Sequence, residues 1–233
     1  KKSLSRLLCT LLVLAMVCAM IPAALADVGN TLVITQATNT ISYKGTATLA
    51  AVAPTAPEQA GSTIAYTYQW TVPTGLTSST TNGSTITVTG ETVSDNAYSV
   101  SCTCTATYTR TDANDGTAPN APVVYTGTAA VTVARAKITA LTPPTAINVA
   151  AGTKEAAAKA MLPTSVAVTV DNGETGVTVP VSWAISGTYA NTTGSSNTFI
   201  GTPNLTSMPN YELNNGVTTV QATINVVDNL QRP

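Results

Sequence analysis

The sequence contains no histidine. That removes Ser–His and Cys–His nucleophile pairs, most zinc sites and the commonest proton shuttle. Asp and Glu number 11 and lie scattered along the chain, so paired carboxylates have little to draw on. Charge of either sign is scarce: 9% of residues are charged, against roughly 25% in an average domain. Setting aside Lys1, Lys2 and Arg6 leaves seven basic against 11 acidic residues, a net of −4. A mildly acidic chain lacks the clustered Lys and Arg that nucleic acid or anionic lipid requires. No apolar run reaches the ~20 residues that span a bilayer. These absences set the first expectation: no enzyme, no cofactor, no nucleic-acid partner and no membrane insertion once a leader is removed.

What is present is mostly β-forming. Thr and Val are abundant, and β-branched side chains favour strands. The length of 233 residues suits two sandwiches of roughly 100 residues each. Residues 1–26 have the layout of a signal peptide. Lys1, Lys2 and Arg6 form a basic start, Leu7 to Ile21 an apolar run, and Pro22-Ala-Ala-Leu-Ala26 a small-x-small site before Asp27. Cleavage after Ala26 is expected, and with it a secreted, extracellular or cell-surface location.

The expected organisation is therefore a leader over 1–26, a first sandwich over 27–135, a second over 136–229 and a tail over 230–233. In the first, strands are expected at Thr31–Thr35, Gly45–Val52, Ile64–Val72, Ser84–Thr89, Tyr98–Tyr108 and Val123–Val133. Turn residues fill Pro54–Gly61, Pro73–Gly83 and Asp112–Pro122. Two strands alternate cleanly. Tyr66, Tyr68, Trp70 and Val72 share one face. Tyr98, Val100, Cys102, Cys104, Ala106 and Tyr108 share another, opposite Ser99, Ser101, Thr103, Thr105 and Thr107. Period two with one apolar face is a half-buried strand.

A strand ending in Trp70, followed by Asp95-Asn96-Ala97-Tyr98-Ser99-Val100, resembles strands C and F of an immunoglobulin-like domain. The resemblance implies that the Tyr98 hydroxyl bonds back to the backbone at the corner before strand F. Val100 stands where the F-strand cysteine of that fold is usual, and strand B has none, so the inter-sheet disulfide is missing. In this the segment is similar to PKD and bacterial Ig-like modules of exported proteins.

After the junction Arg135-Ala136-Lys137, strands are expected at Lys137–Leu141 and from Ile147. A short helix is expected near Thr153–Met161, capped by Thr153 and stopped before Pro163. Val166, Val168 and Val170 share a face, as do Val177, Val179, Val181, Trp183 and Ile185. Asp171-Asn172-Gly173 reads as a tight turn between these strands. Pro180 reads as lying near a sheet edge, and Val217–Val227 as the last strand. Gly152, Met161-Leu162-Pro163, Val166-x-Val168, Asn172-Gly173, Val179-Pro180-Val181-Ser182-Trp183 and Ile200-Gly201-Thr202 together resemble a bacterial immunoglobulin-like (Big-type) domain. The longer stretch Asn204–Asn215 departs from that pattern. The family has no catalytic residues to carry over and implies structural or adhesive roles, often in tandem arrays.

The remaining motifs read as structural. Asp112-Ala-Asn114-Asp115-Gly116 is superficially like a calcium loop, but the acid expected at position 12 of an EF-hand-type loop is missing. Asp112, Asn114 and Asp115 are ordinary turn residues in a hairpin tip, and calcium is the weaker reading. Cys102 and Cys104, at i and i+2, lie at or beyond bridging distance along an extended strand. They read as two buried small hydrophobes, with a strained or intermolecular disulfide as the alternative. Trp70 and Trp183 read as core rather than sugar platforms, leaving Tyr43, Tyr125, Tyr189 and Tyr211 as better candidates for exposed contacts. Lys44 and Lys137 begin strands and are weak candidates for isopeptide cross-links. The Asn82, Asn191 and Asn204 sequons arise readily by chance in a Thr- and Ser-rich chain.

Three roles follow. The first is a secreted or surface spacer, scaffold or adhesin. The second is a module that binds surface polysaccharide or protein, favoured by an exposed aromatic row. The third is a subunit that self-associates through sheet edges.

Overall fold

The computed structural model describes residues 30–111 and 118–228. The expected leader and tail, and Asp112, Asn114 and Asp115, lie outside the described residues.

The N-terminal half contains β1 (Ile34–Thr35), β2 (Thr38–Ser42), β3 (Thr46–Ala51), β4 (Ser62–Thr71), β5 (Leu76–Ser78), β6 (Thr85–Gly90), β7 (Ser94–Arg110) and β8 (Val123–Ala134). They form two four-stranded sheets, β1-β3-β6-β5 and β2-β8-β7-β4. The first edge segment divides between sheets: β1 pairs with β3, and β2 then runs parallel to β8. Strands B, E and D in one sheet and C, F and G in the other are the immunoglobulin-like arrangement. Leu49, Ile86 and Val88 from one sheet meet Trp70, Val100, Cys104 and Val131 from the other in a single core. The alternation of β7 is as the sequence predicts, with Val100, Cys102, Cys104, Ala106 and Tyr108 buried.

Two local predictions of the immunoglobulin resemblance hold at atomic level. The Tyr98 hydroxyl donates to the Thr92 carbonyl at 3.0 Å. Gly75, at φ +104, lets the ring pass: a Cβ there would sit 2.6 Å from it. Trp70 is core, and its indole N–H donates to the Gly83 carbonyl at 2.9 Å, so burial leaves no orphaned donor. Strands β2 and β5 were not legible in the sequence. Each offers only one buried apolar residue, Ile41 or Leu76, too little for a period to show.

The C-terminal half contains β9 (Ala136–Leu141), β10 (Ile147–Ala150), α1 (Glu155–Lys159), β11 (Ser165–Val170), β12 (Thr178–Ile185), β13 (Ser196–Pro203), β14 (Tyr211–Leu213) and β15 (Val220–Val227). The order β10-β15-β13-β12 repeats that of β2-β8-β7-β4, including a parallel first pair. The sheet then turns. The start of β12 pairs with β11 and its remainder with β13, while β11 hands its own second half to β9. Trp183, Phe199, Ile224 and Val179 fill the space inside, closed by Ala158 and Leu162. The Trp183 indole donates to the Pro163 carbonyl at 2.7 Å.

Three expectations are corrected here. Lys154, not Thr153, occupies the helix N-cap, without a side-chain cap. The Thr153 hydroxyl instead donates back to the Ala150 carbonyl at 2.7 Å, which ends β10. Pro180 is not at an edge but where β12 changes partners, so its missing N–H interrupts no ladder. The Asp171–Gly173 turn exists, with Gly173 at φ +77, but opens a connection of residues 171–177 rather than a two-residue hairpin. Asn204–Asn215 contributes β14, parallel to β9, where hydrogen bonds rather than a strong apolar pattern set the structure.

Candidate functional site

Of the side chains singled out as candidates for contacts, Tyr43 and Tyr211 meet each other, while Tyr125 and Tyr189 lie apart from them. Cys102 and Cys104 are buried and free. Burial, and then the neighbouring Cys104, push the Cys102 thiol up to about 11, and burial likewise raises Cys104. Neither has the lowered pKa of a reactive cysteine. We expect both thiols to resist iodoacetamide at pH 8 in the folded protein and both to react in denaturant. Mass labelling of one thiol in the native state contradicts this.

Tyr125 is a correction: it is buried within the first core, with 5% of its surface exposed, not available for contacts. Tyr189 is half-buried and packs near Phe199, with ring centroids 6.3 Å apart. Lys44 pairs with Glu91 at the surface, and exposed Lys137 engages Asp171 only through its backbone, so neither meets the Asn of an isopeptide bond. Asn82, Asn191 and Asn204 are exposed. No helix among the described residues is long and apolar enough to cross a membrane.

The densest built feature is the joint between the two halves. Strand β8 ends at Ala134 and β9 begins at Ala136, so Arg135 alone connects them. Residues 42–45 form a tight turn at the end of β2, closed by Gly45 N–H donating to the Ser42 carbonyl at 2.7 Å. Lys44 adopts φ +60 there, an uncommon conformation for a side chain with a Cβ. The turn projects Tyr43 onto the second half. Its ring meets Tyr211 edge to face, with centroids 5.5 Å apart and planes at 78°. Ala136, Ile138, Val170 and Leu213 surround the pair.

Polar contacts close around this aromatic centre. Asn172 Nδ2 donates to the Tyr43 carbonyl at 2.6 Å. Asp171 accepts from the Lys137 N–H at 2.9 Å and from the Ser42 hydroxyl at 3.4 Å. The Tyr211 hydroxyl donates to Glu174 Oε2 at 2.7 Å. Burial, then this hydrogen bond, raises the Tyr211 phenol well above its ordinary value, so it remains a donor across the neutral range. Arg135 Nε donates to the Pro209 carbonyl at 2.9 Å. The sequence hid these roles. Asp171 and Asn172 read as turn residues, and nothing in the order of residues joins position 43 to position 211. The signal that was available is the single connecting residue, which forces neighbouring sheets to touch.

No protein-family model and no curated protein matches the sequence. Several solved structures are similar, three of which share the following with this chain. One is a chimeric titin Z1Z2 carrying an exogenous peptide from decorin, with 15% identity, a TM-score of 0.27, and 85% of this chain and 98% of that one covered. Another is the fibronectin(III)-like modules of Clostridium thermocellum CbhA, with 11% identity, a TM-score of 0.22, and 87% and 97% covered. The third is an endo-fucoidan hydrolase of glycoside hydrolase family 107, with 15% identity, a TM-score of 0.25, and 90% and 30% covered. The strand order described above carries the assignment to the immunoglobulin-like sandwich class.

Proposed function

We propose that the chain is a non-enzymatic, exported scaffold: two immunoglobulin-like modules joined as a stiff spacer. One observation carries this reading, the packed joint in which Tyr43 of one half sits against Tyr211 of the other beneath the Asn172 hydrogen bond. A flexible tether would use a longer, Gly- and Ser-rich connection, whereas one residue and a shared aromatic cluster fix an orientation. The three-part leader supports export, and the sandwich fold supports a structural role. The two tryptophans that a sugar platform would need are core residues.

The test is whether the halves tumble as one body. Residual dipolar couplings from both are expected to fit a single alignment tensor. In Tyr43→Ala/Asn172→Ala, which loses an aromatic contact worth about 0.5–1.5 kcal/mol and a hydrogen bond worth about 1 kcal/mol, two tensors are expected. Separate tensors in the unaltered protein would overturn the spacer reading.

A further inference from the structure

Strand β4 is the longest edge strand of the first half and is open over its middle. It pairs with β7 over ten residues in unbroken register, Ser62 with Arg110 through Thr71 with Ser101. Among the described residues no strand pairs along its other side. Two hydrogen bonds fix which groups face that side. Trp70 N–H donates away from β7, to the Thr81 carbonyl at 2.7 Å, and Thr111 N–H reaches the Gly61 carbonyl at 2.9 Å on the β7 side. The N–H and C=O groups of even-numbered residues therefore face away from β7. Those of Ile64 and Tyr66 line the open part of the edge.

The usual safeguards are missing from this edge. Proteins blunt exposed strands with Lys, Pro, bulges or covering loops. Ser62–Thr71 contains no charge, no proline and no register shift. The loop over residues 81–83 covers one end, where Trp70 N–H bonds the Thr81 carbonyl and Gln69 bridges antiparallel to Asn82. Two surface depressions flank the strand. One, of about 440 Å³, lies over β4 and β7 and is bounded by Tyr66, Tyr68, Gln69, Asn82, Thr103 and Thr105. The other, of about 590 Å³, is bounded by Glu58, Gln59, Ser62 and Ile64. Ile64, Tyr66 and Tyr68 pack on the core yet stay only half-buried, unlike Val100, Cys102 and Cys104 on the next strand. The Tyr66 hydroxyl accepts from the Ala56 N–H at 3.3 Å, which holds the edge in place.

We propose that the edge of β4 pairs antiparallel with β4 of a second copy, about a two-fold axis near Ala65, joining two four-stranded sheets into one of eight. The second copy is favoured over a charged partner because the strand is neutral, so its own twin meets it without repulsion. Antiparallel pairing also sends the two Glu58 carboxylates to opposite ends of the seam, whereas parallel pairing would bring them together. Outward-facing N–H and C=O groups of Ile64 and Tyr66 then exchange bonds across the axis. Such a seam is smaller than the roughly 1,200–2,000 Å² of a standard stable interface, so the dimer is weak and concentration-dependent. The proposal rests on the scaffold reading, to which it adds self-assembly.

Analytical ultracentrifugation of the mature chain from about 5 µM to about 1 mM reads the result, a range set by that small interface. A reversible monomer–dimer equilibrium is expected. Ala65→Lys, on the exposed outer face, places two ammonium groups side by side at the axis and is expected to weaken the dimer about tenfold or more. Thr40→Lys adds the same charge on β2, the opposite edge of the sheet, and is expected to leave it within about twofold. Near-ultraviolet circular dichroism confirms that both variants are folded. A monomer throughout the range overturns the proposal, as does a dimer that Ala65→Lys leaves intact or that Thr40→Lys weakens equally. A stiff monomer in the dipolar-coupling experiment would keep the spacer and remove only the self-pairing.

Discussion

Replacing Trp70 with alanine is expected to destabilise the first sandwich by about 3–5 kcal/mol. Only 2% of its surface is exposed, and it is the largest side chain in a core of aliphatic residues, cysteines and two buried tyrosines, Tyr108 and Tyr125. A close-packed core relaxes only partly into the space left, so a cavity term adds to the lost burial. The indole N–H also satisfies the Gly83 carbonyl, and truncation leaves that acceptor unmatched. Trp70→Phe separates the two contributions. It retains most of the volume and loses the hydrogen bond, with an expected cost of about 1–3 kcal/mol. Urea denaturation followed by far-ultraviolet circular dichroism reads both losses. In Trp70→Ala the remaining tryptophan, Trp183, reports on the second half by fluorescence, and its transition is expected to move much less than that of the first half. A circular-dichroism transition equal to that of the unaltered protein would contradict the packing account.

Gly127→Ala is the second large effect. Gly127 lies on the inward face of β8, directly beneath the backbone of Leu32. A Cβ there would overlap the Leu32 carbonyl oxygen and lie 3.0 Å from its carbonyl carbon. A backbone atom cannot rotate away as a side chain does, so the crossing segment must lift. That segment is held by Leu32 N–H donating to the Thr126 carbonyl at 2.8 Å and by burial of the Leu32 side chain. Lifting it forfeits both, and a loss of about 3 kcal/mol is expected. Thr128→Ala, one position on and facing outward, is expected to stay within about 0.5 kcal/mol. Limited proteolysis near Leu32 should quicken only in Gly127→Ala. Equal stability of the two variants would mean that the crossing is not tight.

The strand periods were legible because burial on one face of a sheet imposes alternation on the residues themselves. Tyr98 to Tyr108 and Val179 to Ile185 announce both their conformation and their inner face. The corner at Tyr98 and the core positions of Trp70 and Trp183 were equally legible, since few other places satisfy a large side chain with one polar atom. Short edge elements were not. Thr38–Ser42 and Tyr211–Leu213 are strands because β8 and β9 offer them hydrogen-bonding partners, and that offer is made across many residues of sequence. The same holds for Tyr125, whose neighbours in sequence do not reveal that its face of β8 is covered.

The sequence by itself therefore determined an all-β chain of immunoglobulin-like character, with its inward faces, its buried tryptophans and a histidine-free chemistry. Only the tertiary structure decided that Tyr43, Tyr211, Asn172 and Asp171 meet at one joint, and that β4 is left with an uncharged edge open over its middle. The physical reason is range. Burial leaves its mark at positions i and i+2, whereas joints and edges depend on which strands lie side by side, and that is set by pairing between segments far apart in the chain.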